Sequence, residues 1–271
     1  VTIFGLAITA GIASEGGGIV QLSGTLNLDG IDLSGNTATN FGGGIYTNGI
    51  TTLNIANSTI SGNTANGGTG GAGVNSNGPL NISNSTISGN NKVGGASAAG
   101  GIWVGGLTTT IVNSTITNNS APNGAGGIRM NGVVYLRNTI VSANSGGNLT
   151  TSPNASSSNN VIGDEANINL GPLANNGGPT RTHELLPGSS AINAGNDCVT
   201  DSSCATFNAL SNLTTDQRGA GFARKVGSHV DIGAFEVPNT PPTLAAVGVT
   251  RQAGSPSSSS QIGTAGDVET P

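Results

Sequence analysis

The chain has 271 residues, 46 of them glycine, with only 8% charged and 3% aromatic side chains and a formal net charge of −5. That supply of large apolar groups is poor for a globular core, but it suits a thin, repetitive one filled by one or two small aliphatics per turn. The scattered basic residues form no footprint for nucleic acid, and no apolar run reaches the roughly 18 residues of a membrane span.

Residues 1–13 are apolar but lack the basic start of a signal peptide, and they fit a repeat instead. The repeat is clearest at Asn57-Ser-Thr-Ile-Ser-Gly-Asn63, which returns as Asn84-Ser-Thr-Ile-Ser-Gly-Asn90. Altered copies follow at 113–119 and 138–144, and Leu33-Ser-Gly-Asn36 copies its second half. Aligned on the closing asparagine, Asn36, Asn63, Asn90, Asn119 and Asn144 stand 27, 27, 29 and 25 residues apart. Three residues earlier lie Leu33, Ile60, Ile87, Ile116 and Val141, and eight earlier lie Leu28, Ile55, Ile82, Ile111 and Leu136. Ten earlier lie Leu26, Leu53, Leu80, Thr109 and Val134, and a glycine-rich step before an aliphatic opens each unit at Ile19, Ile45, Val74, Ile102 and Ile128. With Gly11 in the asparagine position, Val1, Ile3 and Ile8 obey the same frame, so the chain is expected to begin inside a turn of the repeat.

Within a unit, apolar and polar residues alternate, as in Leu53-Asn-Ile55, which is the period of a half-buried strand. Short β-branched segments broken by Gly and Asn exclude helix almost throughout. A unit of about 27 residues with three short strands predicts an all-β fold, a right-handed single-stranded parallel β-helix, or solenoid, with an irregular C-terminal cap. Corners need residues that tolerate positive φ, which Gly and Asn do. A second asparagine column stands six residues before the first, at Asn57, Asn84, Asn113 and Asn138. Either column reads as a ligand-binding ladder or as a structural amide ladder at a turn, and the structural role is expected. The matched hydroxyls Thr59, Thr86 and Thr115, and Ser34, Ser61, Ser88, Thr117 and Ser142, are expected to face water, where a flat polar face could bind carbohydrate or ice. Variable loops at 64–70, 91–99 and 120–125 are expected to project from one edge of the solenoid into solvent, and they carry one charge, Lys92, and no aromatic.

After Asn144 the repeat decays, and 145–237 reads as irregular coils and a charged cap, with Phe222 and Phe235 packing on the last apolar row. Arg181, His183, Glu184, Asp216, Arg218 and Asp231 could cluster there as an acid/base or metal site, or as salt bridges holding the cap, which is the expected role. Cys198 and Cys204 would form a local disulfide in an exported protein. His183 and His229 show no metal-ligand spacing, and no cofactor or metal is expected. Within the coils the charges are few, Asp29 and Asp32 tend to opposite faces, and Arg129 and Arg137 have no partner carboxylate, so catalytic residues are expected to be absent. Pro238-Asn-Thr-Pro-Pro242 reads as a linker, which makes 238–271 a linker plus the truncated start of another module.

The coil motifs resemble those of right-handed β-helix proteins, including the polymorphic outer-membrane protein type. The stretch from Gly171 to Gly195, with Asp216-Gln-Arg-Gly219 and Asp231-Ile-Gly-Ala-Phe-Glu236, resembles the choice-of-anchor Q domain of bacterial surface proteins. The tail is similar to the opening of immunoglobulin- or cadherin-like modules. The resemblance implies an exported, secreted or cell-surface bacterial protein and carries over no catalytic residues. The expected function is a non-catalytic structural or adhesive stalk within a larger protein, whose partners would be surface carbohydrate or neighbouring surface proteins. The alternative is a carbohydrate-binding or polysaccharide-degrading β-helix.

Overall fold

The computed structural model describes residues 1–238 apart from 50, 165–166, 202 and 205–211, and beyond them only the antiparallel pair Thr243–Leu244 with Ala265–Gly266. The expected linker and following module at 238–271 otherwise lie outside the described residues.

The chain winds into a parallel β-solenoid of about five turns. Its first sheet stacks six strands, including Thr25–Asp29, Thr52–Ala56, Leu80–Ser83, Thr109–Val112 and Val134–Arg137. The second stacks seven, among them Asp32–Ser34, Thr59–Ser61, Thr86–Ser88, Thr115–Thr117 and Ile140–Ser142. A third sheet runs through Thr37–Phe41, Thr64–Ala65 and Asn91–Lys92, and a fourth through Ile19–Gln21, Ile45–Thr47, Val74–Ser76, Ile102–Val104 and Ile128–Met130. The register pairs Leu33 with Ile60, Ile60 with Ile87, Ile87 with Ile116 and Ile116 with Val141, so the repeat columns are spatial columns. They form one continuous core with the columns at Leu53, Ile55 and Ile45. No helix among the described residues is long and apolar enough to cross a membrane.

The glycine-rich step has a reason beyond corner geometry. A Cβ on Gly44, Gly73 or Gly101 would stand 2.6, 2.6 and 2.8 Å from the carbonyl oxygen of the matching glycine one coil on. Successive coils approach too closely there for any side chain. Positive φ is instead concentrated at the corner held by Asn57, Asn84, Asn113 and Asn138, with φ of 42–50°, and at the corner of Gly35, Gly62 and Gly89.

The closing asparagines are buried and linked. The Oδ1 of Asn63 accepts both the backbone N–H and the Nδ2 of Asn36 at 3.0 Å, and Asn90, Asn119 and Asn144 repeat the arrangement. Gly11 N–H enters the ladder at one end, and Asn148 continues it at the other. Each Nδ2 also donates to a carbonyl of an earlier coil, as from Asn90 to Ile60. Replacing Asn90 with Ala would leave the Asn63 N–H groups, the Asn119 Oδ1 and the Ile60 carbonyl short of partners. Asn90→Ala is expected to cost at least about 3 kcal/mol, against about 1 kcal/mol for Ile87→Val, as measured by urea denaturation. Equal losses would mean that the amides are replaceable by water.

Lys92 departs from the expectation that its loop projects into solvent. It occupies the column of Ala38 and Ala65, is fully buried, and donates from Nζ to the carbonyls of Asn40 (2.8 Å) and Gly67. It thereby ties loops of earlier coils together. Burial pushes its amine down to about 8 from 10.5. With the folded value below the unfolded one, the stability tied to the neutral amine is full above pH 10.5 and is lost as pH falls through 8. Thermal melting midpoints should rise between pH 8 and 10, and Lys92→Met should flatten that slope.

Candidate functional site

The second sheet points Ile60 and its equivalents inward and the flanking Thr and Ser outward. These hydroxyls are not the solvated face that the sequence led us to expect: Thr59 and Thr86 are fully buried and Thr115 is 1% exposed. The cover is the C-terminal stretch, which runs back along the solenoid instead of only closing its end. Thr59 Oγ1 donates to the Arg181 carbonyl at 2.5 Å, Thr86 Oγ1 donates to Gln217 Oε1 at 2.6 Å, and Thr115 Oγ1 accepts the Ala234 N–H at 3.1 Å. One column, Asp32, Thr59, Thr86, Thr115 and Ile140, thus serves as a docking track. At its far end Ile140 joins Val161, Ile168, Leu185, Ala191 and Ile232 in a second core outside the solenoid wall.

Gln217 is the central clasp. Its Nε2 reaches Thr59 Oγ1, Thr180 Oγ1 and the Arg181 carbonyl at 2.9–3.0 Å, while its Oε1 holds Thr86. The second asparagine column supplies further holds. Asn57 O accepts Thr180 Oγ1, Asn84 Nδ2 donates to Thr215 O, and Asn138 exchanges two bonds with Asn196. Asn138 donates to Asn113 within the column, and Asn57 donates to Asp29 of the preceding coil.

The charged residues expected to cluster separate into two sets. Arg181 leaves the cap to pair with Asp32 at 3.3 Å and to donate to Ser61 Oγ at 2.9 Å. His183 also reaches the solenoid: Nδ1 lies 2.7 Å from the Gly171 carbonyl and Nε2 lies 2.9 Å from Ser88 Oγ. A carbonyl only accepts, so Nδ1 carries the proton and Nε2 accepts the Ser88 hydroxyl. Burial lowers the imidazole pKa, which keeps the ring neutral. Glu184 is exposed and takes no part in these contacts. Ser88 and His183 are each 3% exposed, and their hydrogen bond clasps the cap to the solenoid.

The other set is a buried network. Arg218 pairs with Asp216 at 2.6 Å and lies between the Phe222 and Phe235 rings, with Cζ 4.0 and 3.8 Å from their centres. Those phenylalanines therefore stack on a guanidinium and not on the last apolar row as expected, because the cation offers each ring face an electrostatic partner. Arg224, fully buried, pairs with Glu236 at 2.6 Å and donates to the carbonyls of Asp231, Gly233 and Phe235. Burial raises the Asp231 carboxyl and pushes Glu236 up to about 7, against the opposing pull of Arg224. The Cys198 and Cys204 sulfurs are bonded, with Cα atoms 5.0 Å apart, and the bridge packs on Val112 and Tyr135 of the coils.

Between the docked hairpin (Leu170–Ala174 with Thr182–Leu185) and the outer hydroxyls runs an open groove of 740 Å³. Ser34, Ser61 and Ser88 form its floor, and Leu173, Arg181 and His183 its wall. A second hollow of 270 Å³, with Thr117, Ser142 and Asp164, continues it. Among the described residues no group of three His, Cys, Asp or Glu side chains is placed to hold a metal ion. Arg129 and Arg137 stand in consecutive strands, one on the fourth sheet and one on the first. Sequence reading missed the clasp residues Thr180 and Gln217; the in-register Thr column was the one available signal. The chain has no significant match to a family model, a curated protein or a solved structure.

Gln217→Leu keeps the volume and removes four hydrogen bonds. Amide exchange at 182–185 and 233–236 is expected to accelerate at least about tenfold, while 53–56, 80–83 and 109–112 keep their protection. Unchanged exchange at 182–185 would show that the clasp lies elsewhere.

Proposed function

We propose that the chain is a non-catalytic, load-bearing segment of an extracellular, secreted or cell-surface bacterial protein, of the choice-of-anchor Q type, with coils like those of polymorphic outer-membrane proteins. The observation that carries this reading is the C-terminal strap, bonded to coil after coil from Asp32 to Asn138. A solenoid alone can lose a coil at a time, because each coil contacts only its neighbours. A strap clasped to one residue per coil makes peeling any coil require breaking the strap as well. The fully buried Arg224 and the Cys198–Cys204 bond stiffen the strap itself. The most reactive-looking pair, Ser88 with His183, is spent on docking, which favours a mechanical role over hydrolysis.

Single-molecule pulling between residues 1 and 238 tests this. The expected trace shows one high-force event as the strap releases, then steps of about 9 nm, one per coil of about 27 residues. Gln217→Leu should lower the first force and leave the later steps alone. Smooth extension at low force would sink the load-bearing role.

A further inference from the structure

The fourth sheet has an outward column that the strap does not cover. Its register pairs Val20 with Tyr46, Tyr46 with Asn75, Asn75 with Trp103 and Trp103 with Arg129. Tyr46, Trp103 and Arg129 are partly exposed, whereas Asn75 is buried between the rings, with its Oδ1 accepting the Gly71 N–H. Parallel strands lie about 4.8 Å apart, so Tyr46 and Trp103 are about 9.6 Å apart along the axis. Tyr46 is backed by Phe41, with ring centres 5.1 Å apart. Trp103 lies over Gly105, where a Cβ would meet its Cζ3 at 2.7 Å. The missing side chain lets the indole lie close over Gly105 while Trp103 stays partly exposed.

The state of Arg129 points to a ligand. Arg129 has neither an ion pair nor a hydrogen bond, whereas Arg181, Arg218, Arg224, Lys225 and Lys92 are all held. A partly exposed, unpaired cation next to an aromatic platform suits an anion carried on a stackable ring.

We propose that the Tyr46–Trp103–Arg129 column binds an extended β1,4-linked acidic polysaccharide laid along the solenoid axis. One coil corresponds to one sugar. Alternate sugars of such a chain turn the same apolar C–H face to one side, and these faces stack on Tyr46 and Trp103. The sugar beyond Trp103 brings its carboxylate to the Arg129 fork. The site is independent of the strap and adds an adhesive face to the load-bearing segment.

Trp103 is the single tryptophan, so its fluorescence reports the site directly. The full chain is titrated with a β1,4-linked hexamannuronate and, separately, with uncharged cellohexaose. Saturable quenching by the acidic oligomer, weakened by salt, is expected, with at least about tenfold weaker binding of cellohexaose. Arg129→Gln should weaken hexamannuronate binding at least about tenfold and remove most of its salt dependence. Tyr46→Ala should weaken both oligomers alike, with unchanged circular dichroism. No saturable change, equal affinity for the two oligomers, or wild-type binding by Arg129→Gln would each overturn the proposal.

Discussion

The structure depends on one constraint: every coil must meet the next in strict backbone register. The asparagine ladder enforces it from inside. Each Oδ1 takes two N–H groups from the preceding coil, and each Nδ2 returns a bond to a carbonyl behind it. A slip by one residue would set Asn63 opposite Gly89 or Asn91 instead of Asn90 and leave buried donors without acceptors, a penalty that grows with each coil. The aliphatic columns supply the driving force, but they are shape-tolerant, since Leu, Ile and Val interchange along them. The amides are not, so they specify while the aliphatics stabilise.

Register inside creates register outside. Because Ile60 stacks on Ile87, Thr59 must stack on Thr86 and Ser61 on Ser88. A face generated in this way is a ruler with one mark per coil, and the molecule uses it more than once. The strap reads the threonine marks of the second sheet. The fourth sheet carries aromatic and cationic marks at the same pitch. Neither arrangement needs further architecture, only substitutions at outward positions where the core is indifferent.

This separation explains what was legible. The inward columns could be read because a residue such as Ile87 answers to neighbours 27 and 29 positions away that repeat its own type. The closing asparagines could be read for the same reason. Thr86 could not, since its partner Gln217 lies 131 residues downstream and belongs to no repeat. An in-register hydroxyl row looks the same whether water or a strap covers it. Lys92 was opaque in another way: it replaces an alanine in a buried column, and only the carbonyls of Asn40 and Gly67 make that position tolerable. Phe222 and Phe235 looked like packing for an apolar end, and the Arg218 between them changes what their faces are for.

The strap also shifts where polar groups are affordable. Its buried ions, Arg218 with Asp216 and Arg224 with Glu236, would be a poor source of stability on their own, because desolvation offsets much of the attraction. Their value is geometric. Arg224 gathers the carbonyls of Asp231, Gly233 and Phe235, and Glu236 gathers the N–H groups of Val226 and Asp231. A segment with almost no regular secondary structure is thereby given a single shape, one that presents the Ala234 N–H and the Gln217 amide at the intervals of the coils beneath. The solenoid measures distance by backbone hydrogen bonds, and the strap matches that measure by burying charge.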